Sequence, residues 1–330
     1  MSDIAAAGVR SAPSRGPATA ARAAPDARRL LQLVLAGIWL LDGVLQYQGF
    51  MYTKGFSDML ADSASGNPGV VARPITWDAT LVSHHLVLLN SVFATIQLLL
   101  GLGIAWRPTV RPALAVSVAW SLGVWWFGEG LGAVLTGAIS PVSGAPGAVI
   151  LYALAAVLLW PADRDIRSPF IAARAVGAPA ARALWLVLWL SLAYFALLPA
   201  SRSPQGLHDM IARMEDGEPG WVAALARGAA AVVAHQGLAA SIVLAVALAV
   251  IAAGVYLPPR LMRATPILAL VLAAVIWVFG QALGEIMAGG ATDPSSAPLL
   301  ALLALCYWPA RGYWPARTAL ARPAEGTIAA

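Results

Sequence analysis

The segment "VWWFGEGLGAVLTG" (residues 124–137) places a carboxylate, Glu129, in a run that is otherwise apolar. A second segment, "IWVFGQALGEIMAG" (276–289), repeats this pattern with Gln281 at the position of Glu129. Ionisable residues are costly inside a membrane, so those that occur there often mark functional positions. The two segments therefore indicate an internal duplication and the region where a polar site is expected.

The composition is that of an integral membrane protein. Of 330 residues, 60% are hydrophobic and 11% are charged, whereas soluble domains carry about 25% charged residues. Apolar stretches of about 20 residues, which suffice to cross a bilayer as a helix, recur along the chain. We predict an all-α, polytopic transmembrane helical protein with eight spans. These spans cover about 30–49, 82–105, 111–133, 145–160, 182–199, 231–257, 265–287 and 296–312.

The chain contains two similar halves. The segment "GFSDMLADSASGNPG" (55–69) matches "GLHDMIARMEDGEPG" (206–220) at seven of 15 positions, with an offset of 151 residues. Each half holds four predicted spans, so both halves enter the membrane in the same direction. We predict two parallel four-helix repeats, each with a short amphipathic helix in its long outer loop. The predicted units are a disordered tail (1–29), the first repeat (30–162), a linker (163–181), the second repeat (182–312) and a C-terminal tail (313–330).

The basic residues predict the orientation of the chain. Of 21 Lys and Arg residues, 16 fall in the two tails and in the segments after spans 2, 4, 6 and 8. Because cytoplasmic loops carry the excess of basic residues, we predict a multi-pass protein of the bacterial plasma membrane with both termini in the cytoplasm. This topology accounts for the net charge of +5. The expected partner is therefore the lipid bilayer, and nucleic acid is not needed to explain the charge.

Polar residues of the first half form one candidate ligand site. Asp42 lies deepest in its span, Gln46 lies one turn above it, and the predicted spans hold no Lys or Arg, except at their ends, to neutralise it. Asn90 and Gln97 are two turns apart on span 2, a spacing that forms a polar stripe facing Asp42. The position that matches Asp42 in the second half is Ala193. We therefore expect the first bundle to carry the site.

Histidines and carboxylates of both halves are predicted at a similar depth near the outer side. His84 and His235 begin spans 2 and 6, Glu129 and Glu285 lie near the outer ends of spans 3 and 7, and Gln281 lies one turn before Glu285. His84, His235, Glu129 and Glu285 are residue types that could bind a divalent metal, relay protons or hold a quinone headgroup, and the two histidines could ligate a haem. The alternative is that the histidines cap helices and that Glu129 reaches headgroup water.

No motif in the chain identifies an enzyme. The sequence has no Ser-His-Asp order, no H-E-x-x-H and no P-loop. Its one cysteine, Cys306, excludes cysteine-clustered zinc and iron–sulfur sites.

The first predicted span, "LAGIWLLDGVLQ" (35–46), and the four-span layout resemble the DoxX-like group of bacterial membrane proteins. The "WWFGEGLG…GAPG…LLWP" pattern is similar to that of uncharacterised membrane proteins of high-GC bacteria. Some DoxX-like members are linked to quinone-coupled oxidation of sulfur compounds, so the resemblance implies a quinone and a membrane redox partner. It transfers no catalytic residue.

Three functions are consistent with these observations. The first is an outer-facing polar pocket that binds a small molecule, a proton or a metal ion. The second is a DoxX-like membrane subunit of a quinone-linked redox system. The third is a membrane scaffold or assembly protein that holds a partner through its outer loops.

Overall fold

The computed structural model describes residues 26–162, 168–258 and 261–309. Within these ranges the chain forms helices joined by turns, and the one bridge between extended residues pairs Phe170 with Pro309. The all-α prediction is therefore confirmed for the described residues. Predictions for residues 1–25, 163–167 and 310–330, which include most of both tails and the start of the linker, lie outside them.

The first half contains six α-helices. These are α1 (Ala27–Leu45), α2 (Lys54–Asp62), α3 (Gly69–His84), α4 (Leu86–Ala105), α5 (Val110–Phe127) and α6 (Ala148–Leu158). The rest of the described chain adds α7 (Ile171–Val176), α8 (Ala178–Ala196), α9 (Pro199–Arg202), α10 (Gly206–Ala212), α11 (Gly220–Val233), α12 (Gly237–Gly254), α13 (Ala264–Val275) and α14 (Ser296–Cys306).

Four helical segments of the described chain are long and apolar enough to cross a membrane. They are Leu86–Ala105, Arg107–Phe127, Ala178–Ala196 and Gly237–Gly254. Four other apolar helices are shorter: Ala148–Leu158, Gly220–Val233, Ala264–Gly280 and Ser296–Cys306. Helix α1 has 19 residues but includes Arg28, Arg29 and Asp42. This set of helices is compatible with a membrane protein.

The long helices expose apolar side chains on their outer faces. Leu99 of α4, Val187 of α8 and Val243 of α12 are 61%, 68% and 69% exposed. A soluble monomer rarely leaves contiguous apolar surface in water. These exposed apolar faces are therefore compatible with contact with lipid.

The largest buried cluster joins the two halves. It includes Trp39 of α1, Tyr152 of α6, Trp189 of α8 and Leu303 of α14. The first and last helices of each half thus share one core, whereas α4 and α12 keep much of their surface exposed.

Like ends of the two halves lie side by side. At one end, Gln281, which follows α13, donates from Nε2 to the carbonyl oxygen of Pro141, which precedes α6, over 3.3 Å. At the other end, the Phe170 ring packs on the Tyr307 ring of the second half with centroids 4.9 Å apart. These contacts hold the segment before α6 against the residues after α13, and the segment before α7 against the end of α14.

The helix of the predicted third span ends early. Helix α5 stops at Phe127, and the chain then turns through Leu131 and Gly132, whose φ angles are 57° and 60°. The same turn follows α13, where Leu283 and Gly284 have φ angles of 59° and 79°. Continuous helices over 111–133 and 265–287 are therefore wrong predictions, because positive φ angles take the chain out of the helix.

A tryptophan supports each of these turns in the same way. Trp125 Nε1 donates to the carbonyl oxygen of Pro146 over 2.9 Å, and Trp277 Nε1 donates to that of Pro294 over 3.0 Å. Both bonds join the end of one helix to the segment before the next. They bring the residues after α5 and α13 close to the starts of α6 and α14.

Other boundaries also differ from prediction. The predicted tail (1–29) overlaps α1, which begins at Ala27, and Asp26 caps it by accepting a hydrogen bond from the Arg28 N–H over 3.1 Å. Part of the predicted linker (163–181) forms α7 and the start of α8. The expected outer-loop helices are present as α2 and α10, and each is followed by a second helix, α3 or α11, that the sequence pattern did not predict.

Candidate functional site: a polar cavity in the first half

A cavity of about 300 Å³ lies in the first half. Its walls come from α1, α2, α4 and α5, and it is completed by Asp78 of α3, by Val149 of α6 and by Thr292 and Asp293 from the segment before α14. Helices α4 and α5 supply mostly apolar and aromatic side chains. The polar lining comes from several elements: Asp42 and Gln46 of α1, Asp78 of α3, Gln97 of α4, Glu129 after α5, and Thr292 and Asp293 before α14.

Asp42 is the most deeply buried carboxylate of the cavity, with 2% of its surface exposed. Its Oδ2 accepts a hydrogen bond from the Tyr152 hydroxyl. The Tyr152 ring packs against Trp39 with centroids 4.3 Å apart, and Trp39 Nε1 donates to Ser117 Oγ over 3.1 Å. These contacts hold Asp42 in place. Its other oxygen, Oδ1, is buried and has no hydrogen-bond partner among the described residues.

Two of the predicted amides share the cavity with Asp42. Gln46 and Gln97 both line it, and in each the Oε1 atom is buried without a partner in the described chain. Asn90 is not in the wall. Instead its Nδ2 donates to the backbone oxygen of Gln46 over 2.8 Å, which ties α4 to the end of α1. Asn90 therefore positions the wall.

Glu129 reaches the cavity from the turn after α5. Its Oε1 accepts a hydrogen bond from the Val149 N–H over 3.2 Å, at the start of α6. Its Oε2 is buried and, among the described residues, has no partner. Burial and, to a smaller extent, the negative charge of Asp293 raise the pKa of Glu129 to about 8, although hydrogen bonds from the Val149 and Ala148 N–H groups oppose the rise. Glu129 thus lines the cavity from the turn after α5.

Gln281 occupies the equivalent place in the second half with different bonding. Its Oε1 accepts from the Ala297 N–H over 3.2 Å at the start of α14, as Glu129 does at α6. Its Nε2 donates to Ser296 Oγ over 2.9 Å and also to Pro141 O. Both the oxygen and the nitrogen of the Gln281 amide therefore have hydrogen-bond partners, and Gln281 does not line the cavity. A neutral amide is sufficient for the structural role at this position.

The histidines and Glu285 lie outside this cavity. His84 and His235 are exposed, and the His235 N–H donates to Gln205 Oε1 over 3.3 Å. Glu285 is half-buried; burial raises its pKa to about 6, with further contributions from the negative charges of Glu218, Asp216 and Asp293.

The predicted metal ligands are not brought together. Of His84, His235, Glu129 and Glu285, Glu129 alone lines the cavity. Across the described part of the chain, no group of three or more His, Cys, Asp or Glu side chains is placed to hold a metal ion.

Two carboxylates of the cavity were not predicted from the sequence. Asp293 accepts hydrogen bonds from the Ser295 N–H (2.7 Å) and Thr292 Oγ1 (3.0 Å), and burial raises its pKa. Asp78 of α3 also lines the cavity, and burial raises its pKa too. Asp293 sits in "ATDPSSAP", which has the composition of an ordinary turn. The available clue was that the corresponding loop of the first half, "AISPVSGAP", contains no carboxylate.

Comparison with known proteins gives no match to a family model, a curated protein or a solved structure. Functional inference therefore depends on the chemistry of the cavity.

Proposed function

We propose that this chain is a multi-pass protein of the bacterial plasma membrane, built as two parallel four-helix repeats, whose first repeat binds a small molecule near the outer side. The repeat is supported by the equal lengths of α1 and α8, 19 residues each. It is also supported by the matching turns after α5 and α13 and by the adjacent like ends of the halves. On this proposal α1, α4, α5 and α6 are the four spans of the first repeat, and α8, α12, α13 and α14 those of the second.

The binding proposal rests on polar atoms around the cavity that have no hydrogen-bond partner in the described chain. Asp42, Gln46, Gln97, Trp120 and Glu129 line it, and each has a buried polar atom without a hydrogen-bond partner in the described chain. A buried polar group left unpaired costs about 1–3 kcal/mol, so native proteins keep few of them. Five around one cavity indicate that a bound molecule or ordered water supplies the missing partners. A volume of about 300 Å³ is within the range of small-molecule sites.

The second half provides an internal comparison. The positions that correspond to Asp42, Gln46, Gln97 and Trp120 are Ala193, Leu197, Leu248 and Leu272. These apolar residues preserve a helical bundle without the polar wall. The polar cavity is thus a feature of the first half and not a requirement of the shared helix arrangement.

A cavity-filling substitution tests the proposal. Gly123 lines the cavity on α5, and a Cβ built there meets no atom within 4 Å. We expect Gly123→Phe to fill the space while leaving the backbone unchanged. The purified protein would be screened in detergent against small neutral, cationic and anionic compounds, with the melting temperature as the readout. Compounds that raise the melting temperature of the wild type should not raise that of Gly123→Phe.

Gly37 provides the matched control. It lies on the exposed face of α1, away from the cavity, and a Cβ there also meets nothing within 4 Å. Gly37→Phe should keep the full response to each compound. The proposal fails if no compound stabilises the wild type, or if Gly123→Phe responds as strongly as Gly37→Phe does.

A quinol headgroup is the second candidate ligand, favoured by the aromatic side chains of the walls. Trp39, Phe93 and Trp120 could pack against the quinol ring. The unpaired oxygens of Asp42 and Gln97 could accept hydrogen bonds from the hydroxyl groups of the quinol. A bound quinone would supply two-electron redox chemistry, and these residues would bind and orient it. Lipid extraction of the purified protein followed by mass spectrometry tests this candidate, which requires about one quinone per chain in the wild type and none in Gly123→Phe.

A further inference from the structure

We propose that the cavity is selective for a small organic ammonium ion, held by the carboxylates of Asp42 and Glu129 and enclosed by aromatic side chains. This inference rests on the proposed small-molecule site and specifies its ligand class. It is argued from the charge, the wall composition and the unpaired atoms of the cavity.

The charge of the lining has one sign. Asp42, Asp78, Glu129 and Asp293 line the cavity, and the lining includes no Lys, Arg or His. An anion would meet these carboxylates without a compensating positive charge, whereas a cation would neutralise them. The arrangement therefore excludes acidic ligands and favours a positive one.

Four of the five unpaired atoms, all except the indole nitrogen of Trp120, are oxygens and favour a ligand that donates hydrogen bonds. Asp42 Oδ1 and Glu129 Oε2 are acceptors in the ionised form and lack partners among the described residues. An ammonium group carries only donors. Its N–H groups, or the polarised C–H groups of a quaternary ammonium, would give both oxygens the contacts that the protein does not supply.

The apolar walls distinguish an organic cation from a hydrated metal ion. Trp39, Phe56, Phe93, Trp120 and Phe127 contribute aromatic rings to the lining. Aromatic faces attract alkylammonium groups, and more strongly when water is excluded. A divalent metal would require several oxygen or nitrogen ligands at one point, and no such group of three occurs in the described chain.

Binding of the cation would release a proton to water. The Asp293 carboxylate acts on Glu129, Glu129 acts in turn on Asp42 and Tyr152, and Asp78 lies on the same wall, so these neighbours of Glu129 are all acidic. Burial raises the pKa of Glu129 to about 8, so near pH 7 the empty site holds a proton on this carboxyl. An entering cation pairs with the ionised form, and the proton leaves. Affinity should therefore rise as the pH increases toward 8, by up to about tenfold per unit.

Isosteric pairs of probes test the charge preference. Choline and 3,3-dimethylbutan-1-ol have nearly the same shape, as do butylammonium and butan-1-ol, and in each pair one member is charged. Affinities would be measured by tryptophan fluorescence and calorimetry on the full chain in detergent, between pH 6 and 8. We expect at least one cation to bind ten or more times more tightly than its neutral isostere, with affinity increasing over this pH range.

Glu129→Gln is the decisive variant, because Gln281 shows that a Gln accepts the same helix-start hydrogen bond in the second half. It should weaken binding of the cation at least tenfold, leave the neutral isostere unchanged and remove the pH dependence. Glu285→Gln, at a carboxylate outside the cavity, should change none of these values.

The results separate this inference from the proposed function. If neutral compounds bind the wild type and not Gly123→Phe, but neither cation is preferred over its isostere, the site stands and the ammonium inference is overturned. The inference is also overturned if Glu129→Gln binds the cation as tightly as the wild type. The proposed function and the ammonium inference both fail if no probe and no compound of the wider screen shows binding to the wild type that Gly123→Phe abolishes.

Discussion

At the scale of single residues, Glu129 and Gln281 show one structural position used in two ways. Both accept a hydrogen bond from the backbone at the start of the following helix, from Val149 and Ala297 respectively. Gln281 is fully bonded and buried between the halves, whereas Glu129 keeps one unpaired oxygen at the cavity. Glu129 thus adds an ionisable group that the hydrogen bond to the following helix does not require.

This difference predicts a pH dependence of stability that Glu129→Gln removes. The pKa of Glu129 is about 8 in the folded chain, compared with its ordinary value of 4.5. Between these values the folded chain holds a proton that the unfolded chain has released, so stability falls as the pH rises from about 4.5 to about 8, by at most about 1.4 kcal/mol per unit. We expect Glu129→Gln to have the same melting temperature as the wild type at pH 4 and a higher melting temperature than the wild type at pH 8.

Melting curves in detergent at several pH values measure this effect. Glu285→Gln is the control. Because the pKa of Glu285 is about 6, the difference in melting temperature between Glu285→Gln and the wild type should stop growing near pH 6. A constant offset between Glu129→Gln and the wild type at every pH would contradict the prediction.

At the scale of elements, the turns after α5 and α13 decide where the polar residues lie. If α5 continued as a helix through residue 133, Glu129 would follow Trp125 by one turn on the same face. Instead the chain turns at Gly130–Ala133, and the Trp125 bond to Pro146 holds the turn against the start of α6. The turn therefore brings Glu129 to the cavity.

Gly132→Ala should destabilise the protein through this turn. Gly132 has a φ of 60°, and a Cβ built on it would collide with the Pro146 carbonyl oxygen. The combination of left-handed backbone and backbone clash should cost about 2–3 kcal/mol, seen as a lower unfolding midpoint in detergent. Gly284→Ala, where the collision is with Pro294, should behave similarly. Gly123→Ala, which meets no atom within 4 Å in α5, should keep or slightly raise the midpoint.

At the scale of the whole molecule, the two halves share one core, and we propose that they run in the same direction. Contacts between Gln281 and Pro141 at one end, and between Phe170 and Tyr307 at the other, keep like ends adjacent. Together with the distribution of basic residues, this arrangement predicts that the ends carrying Glu129 and Gln281 face outward.

Single-cysteine labelling tests the predicted orientation. In a Cys306→Ala background, His84→Cys and His235→Cys should react with a membrane-impermeant maleimide on intact cells, because both positions are exposed. Arg107→Cys, also exposed but on the predicted cytoplasmic side, should react only after lysis. Labelling of both positions from the cell interior alone would contradict the predicted orientation, and labelling of the two from opposite sides would contradict the parallel arrangement.

Much of the cavity lining was within reach of the sequence. Asp42, Gln46, Gln97 and Glu129 were predicted as ligand candidates because polar residues stand out in apolar runs, and all four line the cavity. Asp293 was missed because an Asp next to Pro and Ser is common in turns. The histidines were grouped with Glu129 by depth alone, and depth does not say which direction around the bundle a side chain points.

The sequence by itself determined the all-α fold class and the apolar, membrane-type helices. These follow from long apolar runs, because a backbone in lipid must satisfy its hydrogen bonds within each helix. Only the tertiary structure decided where α5 and α13 break and which polar residues share a cavity. Those outcomes depend on interactions between residues far apart in the chain, such as the hydrogen bond between Gln281 and Pro141, and local patterns carry no information about such interactions.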